Sequence, residues 1–149
     1  MIVEAQVTVA GSRPAIWALV SDIANGAQFI RGIEKIEVVE KAARGLVGLR
    51  WRETRILFGK PATVEKQVTQ AVENESYETR AESDGFVFLT TLRLAQDGGG
   101  CTVISTHDSR PQTLRAKIMT VPMGLFFKCV IRKAILQDLN DIKSAVEKR

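Results

Sequence analysis

Val3, Ala5, Val7 and Val9 alternate with Glu4, Gln6 and Thr8, a period of two that predicts a strand with one wet face. Gly11 ends that run. Ser12 is placed to cap a helix, and Pro14 falls in the first turn, where a missing N–H costs nothing. Ile16, Trp17, Leu19, Val20 and Ile23 recur at helical spacing, Asn25-Gly26 breaks the helix, and a second short helix is expected over 27–31. From Ile33 the period returns to two. Strands are expected at 33–41, 46–58, 61–73, 76–83, 85–95 and 100–109. Turn chemistry separates them at Ala43-Arg44-Gly45, Gly59-Lys60-Pro61, Glu73-Asn74-Glu75, Asp84-Gly85 and Asp97-Gly98-Gly99-Gly100. Linkers this short join antiparallel neighbours, so the run is a meander.

After Pro111 the pattern changes. Leu114, Ile118, Met119 and Val121 lead to Pro122, and a helix is expected from there to about Glu147. Its front half is apolar on most sides, with Leu125, Phe126, Phe127, Cys129, Val130 and Ile131, and is expected to be deeply enclosed. Its rear half narrows to a stripe of Ile135, Leu139, Ile142 and Val146, which should lie on a surface. The expected fold class is α+β. About seven strands form a curved antiparallel sheet on a long C-terminal helix, with two short helices after the first strand, in one domain over 1–149.

Composition narrows the function classes. Apolar residues make up 45% of the 149 and charged residues 26%, enough to bury a core that offsets chain entropy. The net charge of +4 is a mild excess of base, gathered in part at Arg115, Lys117, Lys128, Arg132 and Lys133. A solvated face explains those residues; a transient membrane-surface contact through the basic C-terminal helix is the alternative. Nucleic acid is not an expected partner, since nothing matches an RRM or KH signature. Met1-Ile2-Val3-Glu4-Ala5 has no basic n-region, and Val121 to Phe127 is too short to span a bilayer. Cys101 and Cys129 lack CxxC spacing and are expected as free thiols in the cytoplasm. One histidine and two distant cysteines do not make a usual zinc site, and no nucleotide fingerprint is present, so no metal or cofactor is expected.

Strand phase points to candidate chemistry. In strand 46–58 the apolar positions are Val47, Leu49, Trp51 and Leu57, and Glu53 and Arg55 share their phase. Buried charges must pair, meet other polar groups or see water, which a wet or ligand-filled cavity allows; a bulge that flips the phase would also relieve them. Lys66 and Gln70 share the phase of Val64, Val68 and Val72, and Thr90 that of Phe86, Phe88, Leu92 and Leu94. Ser105 and His107 share that of Cys101 and Val103. A polar group repeated on apolar faces describes a lined cavity with a few polar anchors. Tyr77 can serve there or as a core ring with its OH at the rim. His107 can be a hydrogen-bonded strand residue or, with Glu53, a candidate catalytic group. Met119 and Met123, near Phe126, can fill core or roof an adaptable pocket.

The order strand, two short helices, six-strand meander and long helix resembles the START-like (Bet v 1-like) superfamily with its helix-grip fold. The nearest branch is polyketide cyclase/dehydrase and lipid transport. The resemblance rests on Ser12-Arg13-Pro14-Ala15-Ile16-Trp17-Ala18-Leu19-Val20-Ser21-Asp22, on Val47-Gly48-Leu49-Arg50-Trp51-Arg52-Glu53-Thr54, and on the final helix. It implies binding or transport of a small hydrophobic ligand such as a lipid, isoprenoid, quinone or polyketide-like molecule in an internal cavity. The alternative it implies is a cyclase or dehydratase, with Glu53 or His107 shuttling a proton and Arg55 steadying an enolate-like oxygen.

Overall fold

The computed structural model describes residues 1–57, 59–120 and 124–148, without the side chains at 57, 97, 119, 120 and 124–127. Strand β1 (Ile2–Val9) leads into helix α1 (Arg13–Val20), a 3₁₀ helix (Ile23–Gln28) and the strands β2 (Ile33–Glu40), β3 (Arg50–Leu57), β4 (Lys60–Val72), β5 (Ser76–Ser83), β6 (Phe86–Asp97) and β7 (Gly100–Pro111). Helices α2 (Leu114–Thr120) and α3 (Gly124–Glu147) follow. The seven strands form one antiparallel sheet in the order β1-β7-β6-β5-β4-β3-β2. This is the expected meander, with β1 returning to pair with the last strand.

Local chemistry explains most boundaries. Ser12 accepts from the Ala15 amide and caps α1, and the Ser21 hydroxyl donates to the Trp17 carbonyl at its end. The break therefore comes at Ser21 and Asp22, ahead of the expected Asn25-Gly26. The Asp22 carboxylate accepts from the Asn25 amide across the next turn, so Asn25 and Gly26 lie inside the second helix, which covers 23–28 and not 27–31. Asp84 and Gly85 both take positive φ in the two-residue turn between β5 and β6, the mirror-image turn that suits a twisted hairpin.

Two strand expectations change. Residues 46–49 form a turn before β3, and Val47 is exposed. In β4 the register slips between Val68 and Gln70, so Thr69 is an extra residue. Lys66 and Val68 keep the inward phase, but Gln70 and Val72 turn out to solvent while Ala71 turns in. The Phe58 and Leu57 side chains, at the expected end of β3, lie outside the described residues.

The main core lies between the sheet and the rear half of α3. Ile135, Leu139, Ile142 and Val146 are buried against Val3, Ala5 and Val9 of β1, Ile16 and Leu19 of α1, and Val103 of β7. Each of these valine, leucine and isoleucine side chains contributes roughly 1.5–3 kcal/mol by leaving water. A smaller cluster of Ile23, Trp51 and Val68 sits under the 3₁₀ helix, and Tyr77 packs against both clusters. The enclosure expected for the front of α3 is corrected where it is described. Lys128 and Cys129 are exposed and Val130 and Ile131 are half-buried, because α3 packs chiefly on β1 through its rear half. Leu125, Phe126 and Phe127 lie outside the described side chains.

Candidate functional site

Between the two apolar clusters the sheet, the 3₁₀ helix and α3 border a partly open cavity of about 130 Å³. Apolar cavities of about 150 Å³ take a benzene ring, which sets the scale. Ile23, Phe29 and Ile30 close it from the 3₁₀ helix and the loop after it, and Ile135, Leu139 and Ile142 from α3. The loop is pinned to α3 by Asp141, whose carboxylate accepts from the Arg31 amide and Nε, each at 3.0 Å.

One end of the cavity is charged. The β3–β4 register runs without a slip from Arg50 to Leu57, so Trp51, Glu53 and Arg55 all face inward and no bulge relieves them. Glu53 is buried, and its carboxylate accepts from Arg55 Nε at 2.7 Å, Lys66 Nζ at 3.0 Å and Trp51 Nε1 at 3.3 Å. Arg55 also reaches across to α3, donating from its two terminal nitrogens to Asp138 at 3.2 and 2.8 Å. Burial alone would raise the Glu53 carboxyl, but Lys66 and Arg55 outweigh it and bring it down to about 2. Burial works against the Arg55 charge as well, yet its bonds to Asp138 and Glu53 hold it firmly protonated. A carboxylate held by three donors is a poor proton shuttle, and a guanidinium with three of its five N–H groups in use is a constrained oxyanion donor.

The neighbouring wall is neutral and open. Thr79, Thr90 and His107 pair directly across β5, β6 and β7, so their side chains form one polar rib over the concave face. Ser105 and Tyr77 flank it, on either side of Leu92 in the next row. Among the described residues none of these five side chains makes a hydrogen bond, and none of their polar atoms is sealed off without a partner. Their polar atoms thus look into the cavity. Burial, then the charges of Lys66 and Arg55, push the His107 imidazole down to about 4, with Glu53 opposing. It is therefore neutral at pH 7, one nitrogen a donor and the other an acceptor. Burial and the Glu53 charge raise the Tyr77 phenol, which stays a neutral donor and packs edge-on to Trp17 at 6.0 Å.

Of the candidate residues, the structure brings Trp51, Glu53, Arg55, Tyr77, Thr90, Ser105 and His107 together around this cavity. Phe88 is outside it, stacked on Phe86 at 5.8 Å, because it lies one inward position beyond Thr90 toward the β5–β6 turn. Met123 and the side chains of Met119 and Phe126 lie outside the described residues. Sequence reasoning missed Thr79 as a rib member and Asp138 as the partner of Arg55. Thr79 carried a usable signal, its phase with Tyr77 and Ala81. Asp138 carried none, since its role depends on how α3 crosses the sheet.

An antiparallel sheet gripping a C-terminal helix around a cavity with polar anchors defines the helix-grip class of small-molecule-binding folds. The chain belongs to the family described as polyketide cyclase / dehydrase and lipid transport, whose profile matches residues 1–147. Its fold is similar to that of a START superfamily protein from Mycobacterium smegmatis, with a TM-score of 0.81 and 19% identity over 99% of this chain and 97% of that one. It is also similar to the Zhui aromatase/cyclase from Streptomyces sp. R1128, with a TM-score of 0.81 and 18% identity over 100% of this chain and 94% of that one. Ginseng major latex-like protein 151 from Panax ginseng gives 0.76 and 12% over 97% and 96%. No curated protein matches in sequence.

Proposed function

We propose that the chain binds or carries a small, mostly apolar molecule whose uncharged polar head docks on the rib of Thr79, Thr90 and His107. The observation that carries this reading is the set of five polar side chains without side-chain partners among the described residues, facing a cavity that is lined by apolar side chains and by the internally paired charges at its other end. Their polar atoms are reachable from the cavity, so a ligand hydroxyl or carbonyl can take the hydrogen bonds that water otherwise supplies there. At about 130 Å³ the partly open space suits a ring-sized head of a lipid, isoprenoid, quinone or polyketide-like molecule. At the charged end every group already has a protein partner of opposite charge, and that end acts as a wall. Both cysteines are free, which suits a reducing compartment such as the cytoplasm, and among the described residues no helix is long and apolar enough to cross a membrane.

Native mass spectrometry of freshly purified protein, with organic extraction of whatever is released, tests the reading, followed by titration with an apolar fluorescent probe. A stoichiometric adduct, or saturable probe binding that the extract displaces, is expected. Folded protein that carries no adduct and takes up no probe ends it.

A second reading, an enzyme of the cyclase/dehydratase type, is favoured by one observation: His107 is neutral, unpartnered and turned to the cavity. It could take a proton from a bound ligand, with Glu53 only setting the field. A His107→Gln variant that keeps binding and loses turnover supports it; unchanged turnover removes His107 from the chemistry.

A further inference from the structure

Between Asp108 and Asp138 the chain carries six of its 21 basic residues and none of its 17 acids. This stretch contains α2 and the front half of α3. Helix α2 contributes little to the core. It buries Ala116, which lies over Gly85, and is moored through the Gln112 amide on the Gly85 carbonyl at 2.7 Å and the Thr113 hydroxyl under the Ala116 amide. It turns Leu114 and Ile118 outward, 74% and 63% exposed, the most exposed of the large apolar side chains among the described residues. They stand four residues apart, on one face of the helix.

Arg115 and Lys117 flank them and are exposed as well. Only three residues separate α2 from α3, so Gly124 is within about 14 Å of Thr120, and the first turns of α3 continue the same region. There Lys128, Arg132 and Lys133 are exposed. Among the described residues none of these five cations pairs with an acid. Elsewhere on the surface Lys35, Arg50, Arg52 and Arg80 each have a carboxylate partner. Free cations around two projecting apolar side chains complement an anionic, partly apolar surface.

We infer that α2 and the front of α3 form a docking face for an anionic lipid bilayer, with Leu114 and Ile118 entering the headgroup boundary and the five cations lying against acidic headgroups. A protein or nucleic acid surface offers charge for the cations but no fluid layer for two isolated aliphatic side chains. The inference does not depend on the cavity reading, since a protein that takes no ligand can still dock.

The test is sedimentation of the full chain with phosphatidylcholine vesicles, with and without phosphatidylserine, at low and high salt. Binding is expected only with phosphatidylserine and is expected to fall at high salt, where exposed charges are screened. Each basic side chain near such a surface raises partitioning roughly fivefold, so Arg115→Gln with Lys117→Gln is expected to lose about 25-fold. Leu114→Ser with Ile118→Ser is expected to weaken binding while leaving circular dichroism and probe uptake unchanged. Absence of sedimentation with phosphatidylserine vesicles at low salt overturns the proposal. So does an equal loss in the control Arg52→Gln with Arg80→Gln on the sheet, because overall charge and not this face would then govern binding.

Discussion

The two walls of the cavity solve the problem of buried polarity in opposite ways. On the β3 side Glu53, Arg55, Lys66 and Asp138 satisfy one another and tie the sheet to α3. On the β5–β7 side Thr79, Thr90 and His107 are neutral and leave their polar atoms unused. Desolvated charges cannot be left waiting for a ligand, whereas hydroxyls and a neutral imidazole can, because the cost of a missing partner is far smaller for them. The charged wall should therefore govern stability and the neutral rib should govern binding.

The largest effect expected is on stability. Arg55→Met takes both hydrogen bonds from the Asp138 carboxylate and leaves Glu53 with Lys66 and Trp51 alone, and removing one partner of such a network costs about 3–5 kcal/mol. Urea unfolding should show it, and a loss below about 1 kcal/mol would mean that water already carries the cluster.

Acid titration of stability comes next. The His107 pKa of about 4 in the fold lies below its ordinary 6.5, so the unfolded chain holds a proton that the folded chain rejects. The His107 contribution to stability should be flat above pH 6.5 and fall by up to about 3 kcal/mol on the way down to about 4. Glu53 acts in the same direction further down, its contribution present above 4.5 and lost as pH drops toward 2. His107→Gln should remove the upper limb only. A variant that keeps that limb assigns it to another group.

The smallest effect separates the two walls most sharply. Thr90→Val removes a hydroxyl with no protein partner, so the ligand-free protein should unfold at unchanged or slightly higher urea. Affinity for the extracted ligand should fall about fivefold to tenfold, the worth of one hydrogen bond. If Thr90→Val instead destabilises the free protein by more than about 1 kcal/mol, the rib is part of the framework and the contrast between the walls fails.

Helix α3 and strand β4 mark how far the fold was legible. The apolar stripe of Ile135, Leu139, Ile142 and Val146 was plain from its spacing, and it is the part of α3 that is buried. Front and rear were misjudged because apolar content was read as depth. Depth follows from where the helix meets β1, and at Lys128 and Cys129 it has not yet met it. In β4 the alternation was sound up to Val68, and the extra residue at Thr69 carries no local signature. Of the site, the inward phase of Glu53, Thr90, Ser105 and His107 could be read because alternation is a property of each strand by itself.

The sequence alone determined most of the elements, most of the turns between them and, short of the slip in β4, the face each strand side chain takes, since these depend on period, caps and backbone dihedrals within a few residues. Only the tertiary structure decided which of those faces share a cavity. Pairing Thr79 with Thr90 and Thr90 with His107, or bringing Asp138 to Arg55 across 83 positions, depends on strand register and on how α3 crosses the sheet. Those are set by packing of the whole core, and no local stretch of chain encodes them.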